Sequence, residues 1–209
     1  MKLDESLLEK LESIEREILV TEDYDYIKDK MFKDIIEEKI ISENKEFKNV
    51  IFDNIKIVNS KFRACEFVNC IFRNSDLSNV SFEESIFSNV AFENCKTEGT
   101  AFNEGRILDT SFKEVLGRMI NFSGSKIKNT SFMDSNFKSS YFEDVEFYKT
   151  EFKNMNLENV NFCGSKLKGI DLRSSIIDGI RIKIEDVKGV IVDTFQATEI
   201  SKILGMIIK

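Results

Sequence analysis

The chain has 209 residues and a mass of 24.2 kDa, with 42% hydrophobic and 32% charged residues, which suits one folded domain plus an extension and is too apolar for a disordered chain. It contains no His, no Trp and no Pro, which removes Ser-His-Asp and Cys-His catalysis and His-ligated metal sites. The formal net charge of −7 falls wholly within residues 1–46, and residues 47–209 balance to zero, so no basic nucleic-acid surface is expected.

Residues 1–31 read as a helical extension or cap. Leu3, Leu7, Leu11, Ile14 and Ile18 form an apolar stripe at helical spacing, with Asp4 as N-cap and Leu3 and Leu8 placed for a hydrophobic staple. The stripe is suited to covering the next element, or alternatively to a coiled-coil contact with a partner. The segment is charged and lacks a signal-peptide core, so a cytoplasmic location is expected. No apolar run reaches membrane-spanning length.

Residues 32–192 carry a five-residue period, regular from 47. Of the 19 phenylalanines, 17 fall on positions 47, 52, 62 and so on to 162, all in one register. Apolar residues such as Ile57, Leu77 and Ile107 fill the gaps, and of thirty such centres from 47 to 192 only Thr97 and Gly117 are not large and apolar. Neither the helical period of 3.6 nor the strand period of 2 produces this spacing, so the repeat predicts a solenoid. Two residues before each centre stands a small residue (Ser60, Cys65, Cys70, Ser75), which reads as a second inward column. Two residues after it stands Asn, Gly or Asp at 19 of 27 positions, which suits a corner in the left-handed conformation. Ahead of the regular part, Ile36 and Ile41 keep a spacing of five and Phe47 follows six later. This reads as a first coil with a one-residue irregularity, or as a second helix over 23–41.

Residues 193–209 read as a C-terminal helix and tail. Asp193 and Gln196 resemble a capping box, Ala197, Ile200, Ile203 and Leu204 follow at helical spacing, and Gly205 stops the helix.

Units such as Cys65-Glu66-Phe67-Val68-Asn69 and Ser75-Asp76-Leu77-Ser78-Asn79 resemble those of the pentapeptide-repeat proteins. The segment from Phe195 to Ile208 is similar to the C-terminal end of their quinolone-resistance (Qnr) branch, as Asp29-Lys30-Met31-Phe32 is to that branch's opening. The resemblance implies an all-β solenoid, a right-handed quadrilateral β-helix with four units per coil, flanked here by N-terminal and C-terminal helices. It also implies a tail-to-tail homodimer through Phe195, Ala197, Ile200, Ile203, Leu204, Met206 and Ile207. As partner it implies a type II topoisomerase, gyrase or topoisomerase IV, bound by DNA mimicry and protected from quinolones. The N-terminal helix has no counterpart in that branch.

Sorted by twenty residues, Glu83, Glu84, Glu104, Glu143 and Asp144 share one face with no Lys or Arg among its units from 80 to 164. This is the candidate acidic binding face, or an ordinary solvated one. Thr97 and Gly117 stack in one column, so two large side chains are missing together; either Leu116 or Met119 swings in, or a dent serves recognition. Cys65, Cys70 and Cys95 pack inward as small apolar groups and Cys163 points outward alone, so no metal site, disulfide or cofactor is expected. With no pocket to perturb a carboxylate, no catalytic residue is expected and the chain is not read as an enzyme. No direct nucleic-acid ligand and no membrane contact are expected. The alternative function is a homodimeric scaffold for an unknown protein partner, bound through the N-terminal helix or the Thr97/Gly117 region.

Overall fold

The computed structural model describes residues 12–13, 25–203 and 205–207. The chain winds into a four-sided parallel solenoid whose coils repeat every 20 residues. Side 1 is a ladder of β2 (Tyr26–Lys33), β4 (Glu46–Asp53), β6 (Glu66–Val68), β8 (Ile86–Ser88), β10 (Arg106–Leu108), β12 (Lys126–Lys128) and β14 (Glu146–Tyr148). Side 2 continues the long strands β2 and β4 into β7 (Ile71–Arg73), β9 (Ala91–Glu93), β11 (Ser111–Lys113), β13 (Ser131–Met133) and β15 (Glu151–Lys153). Sides 3 and 4, apart from the pair β3 (Ile36–Glu38) and β5 (Lys56–Val58), are joined by single parallel bridges such as Lys96↔Leu116.

The five-residue unit has a physical reading at every column. Centres point inward, and the phenylalanine centres stack along the rod: on side 2 the Phe52–Phe72, Phe72–Phe92 and Phe92–Phe112 centroids lie 4.3, 4.9 and 4.7 Å apart with nearly parallel rings. That distance is the spacing of the strands that carry them. Across the core, rings of different sides meet edge to face, as Phe67 and Phe82 do at 84°. The small column also points inward, and its hydroxyls serve the backbone: Ser85 Oγ accepts from Cys65 N at 3.0 Å and donates to Phe62 O at 2.7 Å. Every fifth residue from Asp29 to Asn159 has φ near +55°, or is a glycine with positive φ. Asn and Asp dominate that column because they tolerate this region. Their side chains add ladders, with Asn89 donating to Asn69 at 2.7 Å and Asn69 to Asn49 at 3.0 Å.

The first coil corrects the sequence reading. Its register is unbroken, with centres at Ile27, Phe32, Glu37 and Ser42 leading to Phe47, and corners at Asp29, Asp34, Lys39 and Asn44. Ile36 and Ile41 are not centres and stand 73% and 66% exposed. Ile35 and Ile40, in the small column, fill the core where Glu37 and Ser42 do not. Strands β2 and β3 also replace the alternative helix over 23–41.

The N-terminal helix over 3–18 lies almost entirely outside the described residues. Its two described positions form β1 (Glu12–Ser13), which pairs in parallel with Lys30 and Met31 and so is not helical. The helix present among the described residues is α1 (Thr194–Ile203). Its capping box is formed: Asp193 Oδ1 accepts from Gln196 N at 2.9 Å, and Gln196 Oε1 accepts from Asp193 N at 3.1 Å. Gln196 Nε2 donates to Leu172 O and Ser175 O at 2.8 and 2.7 Å, tying the helix to carbonyls of the solenoid's last turns. Ile200 joins the core beneath it.

Candidate interaction faces

The five acidic residues do share side 4, whose centres are Phe82, Phe102, Phe122, Phe142 and Phe162. Glu83 and Glu143 follow a centre, and Glu84, Glu104 and Asp144 sit on positive-φ corners. The strip is partly compensated. Arg63, one coil earlier, pairs with Glu84, and Asn161 Nδ2 donates to Glu143. Glu104 and Asp144 fold along the rod over Gly124 and Gly164, where a Cβ on either glycine would meet their carboxylates. From Glu84 to Asp144 is three coils, about 14 Å. Duplex DNA carries about one charge per 1.7 Å and one of its strands about one per 3.4 Å. Side 4 therefore falls short of a duplex and is comparable to a single strand.

The C-terminal residues divide into two sets. Phe195 and Ile207 are each 86% exposed, and Met206, Ile203 and Ala197 also face outward. Ile200 is buried within its own chain at 5% exposure, because the helix turns that side toward the last coil; it has no surface to offer a second copy. Leu204 lies outside the described residues.

The missing bulk at Thr97 and Gly117 is filled from within. Phe137 leans back one coil, so that a Cβ on Gly117 would stand 2.9 Å from its ring and 2.7 Å from Thr97 Oγ1. Leu116 and Met119 do not swing in; they are 57% and 53% exposed. The backbone is undistorted, with Gly117 N bonded to Asn136 O at 2.9 Å and Leu116 N to Cys95 O at 2.9 Å. Thr97 Oγ1 is left buried without a hydrogen-bond partner.

Burial pushes the Cys65 thiol up to about 11 and those of Cys70 and Cys95 up to about 12, which keeps all three protonated and inert. Cys163 is half-buried. Among the described residues no group of three or more Cys, Asp or Glu is placed to hold a metal ion, and no helix is long and apolar enough to cross a membrane.

Sequence reasoning missed one feature of side 2. Met31, Ile51, Ile71 and Ala91 stand in an outward column, yet the last three are 5%, 9% and 3% exposed and form an apolar cluster apart from the core. Sorting the outward columns by twenty would have revealed it.

Two pentapeptide-repeat family models match the chain, one described as a pentapeptide repeat region over residues 45–122 and one as eight copies of the pentapeptide repeat over residues 140–179. With the unbroken register of four units per coil, the chain belongs to the pentapeptide-repeat proteins. No curated protein matches it. Among solved structures it is similar to QnrB1, a plasmid-mediated fluoroquinolone resistance protein, at 14% identity and a TM-score of 0.40, covering 83% of this chain and 100% of that one. HetL, a protein of heterocyst differentiation regulation from the cyanobacterium Nostoc, matches at 11% identity and a TM-score of 0.40 over 81% of this chain and 90% of its own. Rfr23 from the cyanobacterium Cyanothece matches at 16% identity and a TM-score of 0.32, over 59% and 64%.

Proposed function

We propose that this protein is a non-catalytic interaction module that presents side 4 to the basic DNA-binding groove of a type II topoisomerase and so shields that enzyme from quinolone-like poisons. The observation that carries the reading is the strip Glu83, Glu84, Glu104, Glu143 and Asp144, which has no Lys or Arg among its own units from 80 to 164. With Glu84 compensated by Arg63, about four carboxylates remain over three coils, as many as the phosphates of one DNA strand over that length. A groove that holds DNA has lysines and arginines at such spacing, and complementarity of this kind acts mainly on encounter and register. The exposed Phe195, Met206 and Ile207 support the companion proposal of a tail-to-tail homodimer, which would double the length of the acidic strip.

The test is direct binding. With Glu83, Glu84, Glu143 and Asp144 changed to Lys, affinity for immobilised gyrase should fall more than tenfold, while Glu93→Lys on side 2 leaves it unchanged. Equal loss from both variants, or none from the first, removes side 4 from the mechanism.

A second reading is a dimeric scaffold for another protein. The neutral balance of residues 47–209 and the outward Leu116 and Met119 favour it. Gyrase binding by the unaltered chain decides between the two.

A further inference from the structure

On sides 1 and 2 the ladder between coils opens after β14 and β15. Up to those strands each step is bonded, as by Glu146 N to Ser125 O at 3.1 Å and Glu151 N to Thr130 O at 3.0 Å. One coil further, the equivalent bonds from Lys166 N to Val145 O and from Asp171 N to Thr150 O are not formed. Phe147 N and Phe152 N likewise find no carbonyl among the described residues. The two coils still meet at both ends of the opening, where Ser165 Oγ accepts from Val145 N at 2.7 Å and Ser175 Oγ from Met155 N at 3.2 Å. Sides 3 and 4 stay closed, with Ile176 N bonded to Met155 O and Arg181 N to Val160 O, both at 2.8 Å. The corner between sides 1 and 2 reports the same parting. A Cβ on Gly164 or Gly179 would meet Asp144 or Asn159 of the coil above, whereas one on Gly169 meets nothing within 4 Å. The lower lip is itself held, since Gly169 N and Leu172 N bond to Gly189 O and Ile191 O at 2.8 and 2.9 Å. On side 2 the opening is a cleft of about 550 Å³, lined by Thr150, Phe152 and Lys153 above and by Gly169, Asp171 and Ser174 below.

We propose that this cleft receives an extended, acidic segment of a partner protein, which pairs with the free edge of β15 as an added strand. Glu151 N is committed to the coil above, which leaves Phe152 N–H and Thr150 C=O for the open side. An extended chain takes about 160 Å³ per residue, from a rise near 3.3 Å, a strand spacing near 4.8 Å and a sheet spacing near 10 Å. The cleft therefore holds roughly three to four residues. The charge at its mouth selects the segment. Glu146 and Asp171 are paired with Lys126 and Arg173. Lys149, Lys153, Lys166 and Lys168 are exposed and make no ion pair among the described residues, and the unpaired carboxylate beside them is Glu151. Four lysines against one glutamate favour carboxylates on the incoming strand. The site lies on sides 1 and 2 and makes no use of the acidic strip on side 4.

The test titrates the full chain into two fluorescein-labelled hexapeptides, one alternating Glu with Val and one alternating Lys with Val, and reads anisotropy. Hydrogen exchange by NMR follows the Phe152 amide. The Glu peptide should bind at least tenfold tighter than the Lys peptide and slow exchange at Phe152 at least tenfold. Methylating the backbone nitrogens of the Glu peptide should abolish both effects. Lys153→Glu with Lys168→Glu, both at exposed positions, should weaken binding at least tenfold and leave thermal unfolding unchanged. No binding of the Glu peptide at millimolar concentration overturns the proposal, as does binding without protection of Phe152. A Phe152 amide already protected in the free chain also overturns it, because the cleft is then closed or filled by another copy.

Discussion

Sides 2 and 3 share a corner and a coil length, but they fill the core differently. Side 2 stacks Phe32, Phe52, Phe72, Phe92, Phe112, Phe132 and Phe152 at 4.3–5.4 Å, each ring nearly parallel to the next. Side 3 runs Ile57, Leu77, Thr97, Gly117, Phe137, Leu157 and Ile177, with Phe137 tipped into the space of Gly117 and edge-on to Phe112 at 6.3 Å. At this level both sides are hydrogen-bonded from coil to coil, through three-residue strands on side 2 and single bridges on side 3, and the bridges at Leu116 continue without a break past Thr97 and Gly117. The ladder therefore sets the path of the chain, and packing adjusts within it. The space that a side chain at Gly117 would take is closed by the Phe137 ring and by Thr97.

The largest test of that contrast is Phe132→Ala on side 2. It removes a fully buried ring from the middle of a stack and should lower unfolding stability by about 3–5 kcal/mol in denaturant titration. Gly117→Leu on side 3 restores the apolar pattern of the repeat, yet should destabilise by about 1–3 kcal/mol, because Phe137 already occupies the space. Adding Phe137→Leu should recover most of that loss, and a strictly additive double variant would mean the ring does not fill the gap. Thr97→Val should raise stability by about 1 kcal/mol, since the hydroxyl it removes is buried and unpartnered. The smallest effect concerns the outer surface of side 2. The hydrogen bond from Arg73 to Asp53 at 2.8 Å holds the Asp53 carboxyl below the usual carboxylate range. Its contribution is present above the unfolded pKa of about 4 and is lost as pH falls through the lower folded value. Asp53→Asn should therefore cost a little stability near neutrality and flatten the acid limb of the curve. For the tail, Phe195→Asp with Ile207→Asp should halve the mass measured by light scattering, and an unchanged mass would contradict the tail-to-tail dimer.

Much of this was legible in the sequence because each column of the repeat has a single physical demand. A centre must be large and apolar, a corner must tolerate positive φ, and thirty repetitions make both visible. The first coil was misread because Ile35-Ile36 and Ile40-Ile41 each offer two phases; hydrophobicity alone chooses neither, whereas the corners at Asp34 and Asn44 would have. The filling of Gly117 could not be read because it depends on the rotation of a ring twenty residues away. The five acidic residues fall on one side because the twenty-residue coil is legible in the spacing of the centres. The ion pair of Glu84 with Arg63 and the hydrogen bond from Asn161 to Glu143 were not legible, since those residues lie in neighbouring coils.

The central claim is that side 4 acts on a type II topoisomerase. The most direct measurement is gyrase supercoiling in the presence of a quinolone, with this protein titrated from nanomolar to tens of micromolar beside the variant carrying Lys at positions 83, 84, 143 and 144. The account predicts supercoiling restored near stoichiometric protein by the unaltered chain and not by the variant. No restoration at any dose, or equal restoration by both, would contradict it.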